Sequence, residues 1–260
     1  MKLFKPREIV MPGEGVAMLA DAIRRVEQPS RRAFLQRSLS LGGLSLLTGC
    51  SADSQESIET ALGAISRLND RAQAFLFDPA RLAPTYPESM ITRPFPFNAY
   101  YGEDEVRSID GAAWRLELSG LIGARKPWTL AQLRALPQQS QVTRHICVEG
   151  WSAIGKWGGV PFAHFLRLVG ADLGAKYVGF KCADDYFTSI DMATALHPQT
   201  LMALSYDGQP LPPRYGFPMK LRMPTKLGYK NPKHIQAIFV TNAYPGGYWE
   251  DQGYNWFGGS

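Results

Sequence analysis

Hydrophobic and polar residues change their spacing along the chain, and the changes mark the predicted elements. Between residues 58 and 76, apolar residues recur every three or four positions, which predicts one amphipathic helix that ends before Pro79. We expect its apolar face to pack against the domain, with binding to a partner as the alternative. The segment 78–97 contains five prolines and is expected to be extended and irregular.

From Trp114 onward, the pattern predicts short strands and short helices in irregular alternation. Trp114, Leu116 and Leu118 alternate with polar residues, as in a half-buried strand. Thr129 is placed to cap a helix that runs through Leu136. Because regular strand–helix–strand units are missing, we expect a mixed α+β domain rather than a doubly wound sheet. Further strands are expected over 142–148, 176–190, 201–206, 219–223 and 235–241, and further helices from Pro161 to Val169 and over 192–197.

The N-terminal segment has the pattern of an export signal. Arg31 and Arg32 precede a short apolar run over 39–47, and this order resembles the twin-arginine signal that the twin-arginine translocase reads. The residues around Cys50 (Leu47-Thr48-Gly49-Cys50) resemble a bacterial lipobox, which would make Cys50 a lipidated N-terminus. The expected organisation is an export signal over 1–49, a tether, helix and proline-rich lead-in over 50–94, and a folded domain over 95–260.

Composition and charge exclude several classes of protein. Of the 260 residues, 45% are hydrophobic, enough for a sizeable core, and no apolar run reaches the length of a membrane-spanning helix. The formal net charge is +5, but residues 1–49 hold 8 of the 28 basic residues and 4 of the 23 acidic ones. The excess positive charge therefore belongs to the leader, and a nucleic-acid partner is not expected. The signal predicts a location in the periplasm or on the exterior of the cell envelope.

Cys147 is the candidate reactive group. It is expected at or near the end of a strand, followed by a loop that contains Gly150 and the glycines of 155–159. Arg144 lies nearby in sequence and would favour the thiolate form, which ligates metals. A buried structural cysteine and a disulfide with Cys182 are the alternatives. The four histidines lack the spacing of a zinc site.

The residues around Cys147 resemble the molybdenum-binding segment of a known family. Cys147-Val148-Glu149-Gly150-Trp151-Ser152 and Trp157-Gly158-Gly159-Val160-Pro161 are similar to segments of the sulfite oxidase family. The similarity is strongest to its bacterial, twin-arginine-exported branch, which includes periplasmic methionine sulfoxide reductase catalytic subunits. It covers roughly residues 95–250. The resemblance implies a mixed sulfite-oxidase-type molybdopterin-binding fold without the C-terminal dimerisation domain, since the chain stops at Ser260.

The resemblance also implies a molybdenum–molybdopterin cofactor and its binding residues. Cys147 would be the one protein thiolate on the metal, beside the two dithiolene sulfurs of the pterin. Gly102, Cys182, Tyr215 and Lys220 replace an acidic residue, a threonine, an asparagine and an arginine of the family, and these departures leave the substrate open. The positions that match family contacts to the pterin are Asn98, Tyr101, Gly102, Cys182, Tyr215, Lys220, Asn231 and Lys233.

The activity implied is oxygen-atom transfer on a small oxo substrate of the sulfoxide or sulfite type, with Cys147 and Arg144 as catalytic residues. The sequence has no haem-attachment motif and too few cysteines for an iron–sulfur cluster. The electron partner is therefore expected to be a separate membrane b-type haem subunit or soluble cytochrome, and the chain itself a monomer. A pterin-binding protein without turnover and a thiol–disulfide redox protein are the alternative functions.

Overall fold

The computed structural model describes residues 55–260 of the chain, and the part from Gly63 onward forms one compact unit. This unit begins ahead of the expected domain boundary at residue 95. The predicted export signal and Cys50 lie outside the described residues. Within the described part of the chain, no helix is long and apolar enough to cross a membrane.

Four α-helices are found in the described residues, at the places that the hydrophobic pattern predicts. Thr129 caps the second helix, as predicted, because its hydroxyl accepts a hydrogen bond from the backbone N–H of Gln132 at 3.1 Å. Pro161 is the residue before the third helix rather than its first residue. In chain order the helices are α1 (Gln55–Leu76), α2 (Leu130–Ala135), α3 (Phe162–Leu168) and α4 (Met192–Leu196).

Within residues 55–260, ten strands form two five-stranded sheets. They are β1 (Arg115–Gly120), β2 (Trp128–Thr129), β3 (Gln139–Ile146), β4 (Ser152–Pro161), β5 (Tyr177–Cys182), β6 (Phe187–Asp191), β7 (Leu201–Tyr206), β8 (Gln209–Pro210), β9 (Lys220–Arg222) and β10 (Ile235–Thr241). The first sheet has the order β2-β1-β10-β5-β6; the second has the order β3-β4-β7-β8, with β9 also paired to β7. Among these ten strands only β1 and β10 pair in parallel, so the predicted α+β class is confirmed.

The core consists of two clusters of buried side chains. The larger one joins the first sheet to α3 through residues such as Leu116, Phe165 and Phe180. The smaller one lies on β4, where Trp157 is fully buried and meets the ring of Phe95 edge to face at 5.3 Å between centroids. The smaller cluster supports the strand pair β3–β4, whose connection carries the candidate site.

The glycine-rich segment after Trp151 is a strand, so the predicted loop over 155–159 is wrong. The glycines occur here because neighbouring groups approach the backbone closely. A Cβ on Gly159 would overlap the carbonyl oxygen of Met202 on β7, and a Cβ on Gly155 would come within 2.8 Å of the indole nitrogen of Trp157. Glycine at these positions thus indicates tight packing of β4 rather than a loop.

Helix α1 faces the protein with its polar side, which is the reverse of the expected packing. The carboxylate of Asp70 accepts hydrogen bonds from the Asn255 side chain at 2.7 Å and from the backbone N–H of Phe257 at 2.8 Å. Gln73 accepts one from the backbone N–H of Gly259 at 3.2 Å. The apolar residues on the other side of the helix are exposed.

Candidate functional site

Cys147, the candidate reactive group, lies in the turn that joins β3 to β4, so its predicted place at a strand end is confirmed. Cys147 follows the last residue of β3, and its backbone N–H donates to the carbonyl oxygen of Trp151 at 2.9 Å. Gly150 closes the turn with a positive φ of 93°. Side-chain alternation along β3 places Thr143, His145 and Cys147 on the buried face.

Cys147 opens into a small cavity of about 120 Å³. The cavity brings together four of the residues that the sequence analysis assigned to the cofactor, and it adds acidic and aromatic groups. The exposed turn residues Val148 and Glu149 border it, which leaves the sulfur within reach of a ligand. The predicted residues among its lining are Asn98, Cys147, Asn231 and Lys233, and the added ones include Tyr100, Glu149, Asp184, Gly228 and Trp249.

The surroundings of Cys147 favour its neutral thiol in the free protein. Burial raises the pKa of the thiol, and the nearby carboxylate of Glu149 adds to the effect. The Cys147 sulfur lies 3.6 Å from Glu149 Oε2, and the Trp151 indole N–H donates to the same oxygen at 2.9 Å. The turn itself supplies no positive charge that would stabilise the thiolate.

Arg144 does not supply that charge, contrary to the sequence-based expectation. Its side chain is exposed, and its guanidinium carbon lies 5.2 Å from the ring centroid of Tyr86. It lines a separate cavity of about 550 Å³ together with residues such as Phe77 and Pro224. Arg144 and Cys147 are three positions apart, and on a strand this spacing sends their side chains to opposite faces.

Two buried lysines bring positive charge to the region of Cys147, where Glu149 and Asp184 carry negative charge. The ammonium group of Lys220 lies 5.0 Å from the ring centroid of Trp157, and among residues 62–260 it has neither a carboxylate nor a hydrogen-bond acceptor. Lys233 donates to the carbonyl oxygen of Arg214 at 3.3 Å. Burial lowers the pKa of both lysines, to about 8 for Lys233. Buried positive charge of this kind suits an anionic ligand.

Asn98, Tyr101 and Asn231 are also close to this region. Asn98 Nδ2 lies 3.1 Å from the position that a Cβ on Gly228 would occupy. The Tyr101 hydroxyl donates to Asp184 Oδ2 at 3.0 Å, and its ring centroid lies 5.9 Å from Lys233 Nζ. The Asn231 side chain already accepts from the backbone N–H of Met223 at 2.7 Å, and its own backbone N–H donates to the carbonyl oxygen of Gly228 at 3.0 Å.

Gly102, Cys182 and Tyr215, like Tyr101 and Lys220, are not among the residues that line the Cys147 cavity. The backbone N–H of Gly102 donates to the Glu105 side chain at 2.9 Å. Cys182 is a free thiol in the larger core cluster, so the alternative of a disulfide with Cys147 is wrong. The Tyr215 hydroxyl donates to the carbonyl oxygen of Phe95 at 2.9 Å within the smaller cluster.

His145 is the polar residue that the sequence analysis missed. It is completely buried, and neither ring nitrogen has a hydrogen-bond partner among residues 62–260. Its Nε2 lies 2.8 Å from the position of a Cβ on Gly228, beside Asn98. Burial lowers the pKa of His145 well below its usual value, and the charges of Arg222 and Lys220 act in the same direction. The signal in the sequence is its position two residues before Cys147, on the same face of β3.

These residues fit an anionic group rich in hydrogen-bonding atoms. Lys220, Lys233 and Asn98 offer donors, and the neutral ring of His145 offers one donor and one acceptor. A soft sulfur ligand at Cys147 completes the set. The cavity is smaller than the ligand pockets of roughly 300 Å³ and more that proteins usually form. It therefore encloses part of a bulky group.

Several known proteins are similar to this chain in sequence. The family model described as "Oxidoreductase molybdopterin binding domain" matches residues 103–249. A protein of Azospira oryzae, provisionally named a protein-methionine-sulfoxide reductase subunit YedZ1, is 72% identical over 262 residues, which cover 99% of this chain and 100% of the relative. The protein-methionine-sulfoxide reductase catalytic subunit MsrP of Xanthomonas campestris is 31% identical over 156 residues. The MsrP of Ralstonia nicotianae is 30% identical over 161 residues.

The extent of these matches differs. The Xanthomonas match covers 53% of this chain and 48% of the relative, and the Ralstonia match covers 56% and 49%. The chain thus spans about half the length of these MsrP proteins. Among solved structures, the sulfane dehydrogenase SoxCD of Paracoccus pantotrophus aligns with a TM-score of 0.50 at 17% identity, over 53% of this chain and 40% of that one. This likeness shows a shared fold.

Proposed function

Since the chain belongs to the sulfite oxidase family of molybdopterin-binding oxidoreductases, we propose that Cys147 is the protein ligand to the metal of its molybdenum–molybdopterin cofactor. The observation that carries the proposal is the position of Cys147. Its sulfur lies at the start of the β3–β4 turn, at a cavity bordered by exposed turn residues and by Lys233. When bound, the cofactor supplies a metal that exchanges an oxygen atom and takes up or gives up electrons.

The cofactor-binding residues proposed are those whose side chains or backbone lie at this cavity or its wall. Lys220 and Lys233 neutralise the phosphate of the pterin, which offsets the cost of burying two ammonium groups. Asn98 and Tyr101 hydrogen-bond to the pterin, and Asn231 contributes its backbone carbonyl oxygen, since its N–H is bound to Gly228. His145 takes part with a ring nitrogen that is otherwise without a partner. Four predicted residues are not included. Arg144 lines a separate cavity and Cys182 is packed in the larger core cluster, while the donors of Gly102 and Tyr215 are engaged elsewhere.

The reaction proposed is reduction of a sulfoxide. A sulfoxide, two electrons and two protons give a thioether and water; the oxygen leaves the substrate sulfur and the electrons enter it. The names of the relatives from Azospira, Xanthomonas and Ralstonia favour this substrate class over sulfite. Glu149 is exposed at the cavity opening, 3.6 Å from the Cys147 sulfur, and its carboxyl group is placed to deliver a proton to the departing oxygen.

The surrounding system is proposed from the sequence. The twin-arginine pattern at Arg31 and Arg32 directs export of the folded protein to the periplasm or the outer side of the cell envelope, and Cys50 carries a lipid anchor. Residues 1–49 are the signal that is removed. Electrons come one at a time from a separate cytochrome, either a membrane b-type haem subunit or a soluble protein, and the chain acts as a monomer.

An activity panel tests the proposal. The protein is made in a host that synthesises the cofactor and is assayed with methionine sulfoxide and a reduced dye, and with sulfite and an oxidised dye. We expect reduction of the sulfoxide by the wild type, loss of turnover in Cys147→Ser, and retained turnover in the matched variant Cys182→Ser. Equal turnover in wild type and Cys147→Ser would overturn the proposal, and oxidation of sulfite alone would reverse the direction of oxygen transfer.

A further inference from the structure

Helix α1 presents an apolar stripe to solvent. The stripe consists of Ile65, Leu68, Ala72, Phe75 and Leu76. The exposed fractions of Ile65, Leu68 and Phe75 are 63%, 67% and 89%. Spacings of three and four residues place these side chains on one side of the helix, and an exposed apolar surface of this kind marks an interaction site.

The stripe cannot turn inward without loss of the contacts on the opposite side. Asp70 and Gln73 bind the backbone N–H groups of Phe257 and Gly259 at 2.8 and 3.2 Å. Phe77 adds an edge-to-face contact with the ring of Phe257 at 5.6 Å between centroids. The orientation of the helix is therefore set by the folded domain, and the stripe is held outward.

Between residues 62 and 81, the charges beside the stripe are mainly positive, whereas the first turns of α1 carry Glu56 and Glu59. Arg67 and Arg71 are exposed on the helix, and Arg81 is exposed shortly after it. Asp78 is the exposed acidic residue in this stretch, whereas Asp70 is engaged by the domain. Apolar side chains flanked by arginines are the composition of helices that lie in the headgroup region of an anionic bilayer.

The sequence keeps this helix close to the proposed anchor. Four residues lie between Cys50 and Gln55, where α1 begins, and a fully extended chain over these five steps spans at most about 18 Å. A lipid on Cys50 would thus hold α1 at the membrane surface. Because single acyl chains anchor only marginally, a second hydrophobic contact is needed for stable attachment.

We propose that the stripe on α1 inserts into the surface of an anionic lipid bilayer and holds the enzyme there. The inference rests on the lipid anchor of the proposed function, because the anchor brings α1 to the membrane surface. It does not depend on the molybdenum reaction. A second copy of the chain fits the stripe less well, because a symmetric pair of stripes would bring Arg67 and Arg71 of both copies together. The bilayer instead supplies negative charge to these arginines.

Vesicle flotation tests the inference with two neighbouring substitutions. The full chain, with Cys50→Ser to remove the lipid, is mixed with vesicles of phosphatidylcholine and phosphatidylglycerol at 70:30 or of phosphatidylcholine alone. Phe75→Glu places a charge in the stripe, and Ala74→Glu adds the same charge at an exposed position outside it. Because both proteins keep the same leader, the difference between them isolates the stripe.

We expect Phe75→Glu to weaken binding to the anionic vesicles by about tenfold relative to Cys50→Ser alone, since a buried phenylalanine is worth roughly that factor or more. Ala74→Glu should have little effect, and the neutral vesicles should bind less of every protein. Equal binding of the two variants, or a dimer in sedimentation that Phe75→Glu dissociates, would overturn the inference. Molybdenum content and dye-linked turnover should be the same in both variants, so failure here is distinct from failure of the proposed activity.

Discussion

The sulfur of Cys147 lies 3.6 Å from a carboxylate oxygen of Glu149. In the cofactor-free protein, burial and this negative charge raise the pKa of the thiol. Glu149→Gln removes the charge, so we expect Cys147 to be alkylated by iodoacetamide at lower pH than in the wild type. Alkylation of Cys147, followed by mass spectrometry across a pH series, measures the shift. Glu117→Gln, at an exposed position on β1, is the control, and an unchanged or higher midpoint in Glu149→Gln would contradict the geometry.

Lys220→Met should lower the pterin content of the protein without lowering its free energy of unfolding. The lysine is buried without a carboxylate partner among residues 62–260, so the substitution should leave the free energy of unfolding of the cofactor-free protein unchanged or higher. The same variant should purify with less pterin, because a charge that neutralises the phosphate is lost. Urea unfolding and pterin fluorescence measure the two effects, with exposed Lys181→Met as the control. Full pterin content in Lys220→Met would refute its role.

Gly228→Ala tests the close packing of the cavity wall. The added methyl group would lie 2.8 Å from His145 Nε2 and 3.1 Å from Asn98 Nδ2, so these side chains must move. We expect a loss of about 1–3 kcal/mol in the free energy of unfolding and a lower pterin content. At Gly63 the same methyl meets only the terminal nitrogen of Arg67 at 3.3 Å, and Gly63→Ala should be harmless. Equal thermal stability and pterin content in the two variants would contradict the packing described.

The buried Lys226, which lies outside the site, should make the free energy of unfolding depend on pH. Burial lowers the pKa of its ammonium group to about 7, although Asp191 lies 3.7 Å away. Between pH 7 and 8.5 the folded state thus releases a proton that the unfolded state, with its lysine pKa near 10.4, retains. Stability therefore rises with pH, and this residue contributes up to ~1.4 kcal/mol per pH unit. Urea unfolding at both pH values should show a larger increase in the free energy of unfolding for the wild type than for Lys226→Met. An equal increase in the two proteins would contradict the lowered pKa of Lys226.

Elements defined by local signals were predictable from the sequence. The alternation at Trp114 to Leu118 gave β1, and the cap at Thr129 gave α2. A strand was also predicted over 142–148, and β3 covers its first part up to Ile146. The family motif added the cofactor, which local periodicity alone could not supply.

Features set by tertiary contacts were not predictable. Glycines typical of a loop form β4, because Gly159 must approach the backbone of Met202. The apolar side of α1 was expected inside, but Asp70 and Gln73 bind backbone groups near the C-terminus and turn it outward. The separation of Arg144 from Cys147, and the unpartnered ring of His145, depend on which face of β3 meets the cavity.

The most direct test of the account is the ligand environment of the metal. X-ray absorption at the molybdenum edge, recorded on protein made in a cofactor-competent host, counts the sulfur atoms bound to the metal. We expect one sulfur fewer in Cys147→Ser than in the wild type, and the wild-type count in Cys182→Ser. The same sulfur count in Cys147→Ser as in the wild type, or wild-type protein without molybdenum, would contradict the assignment of Cys147 as the ligand.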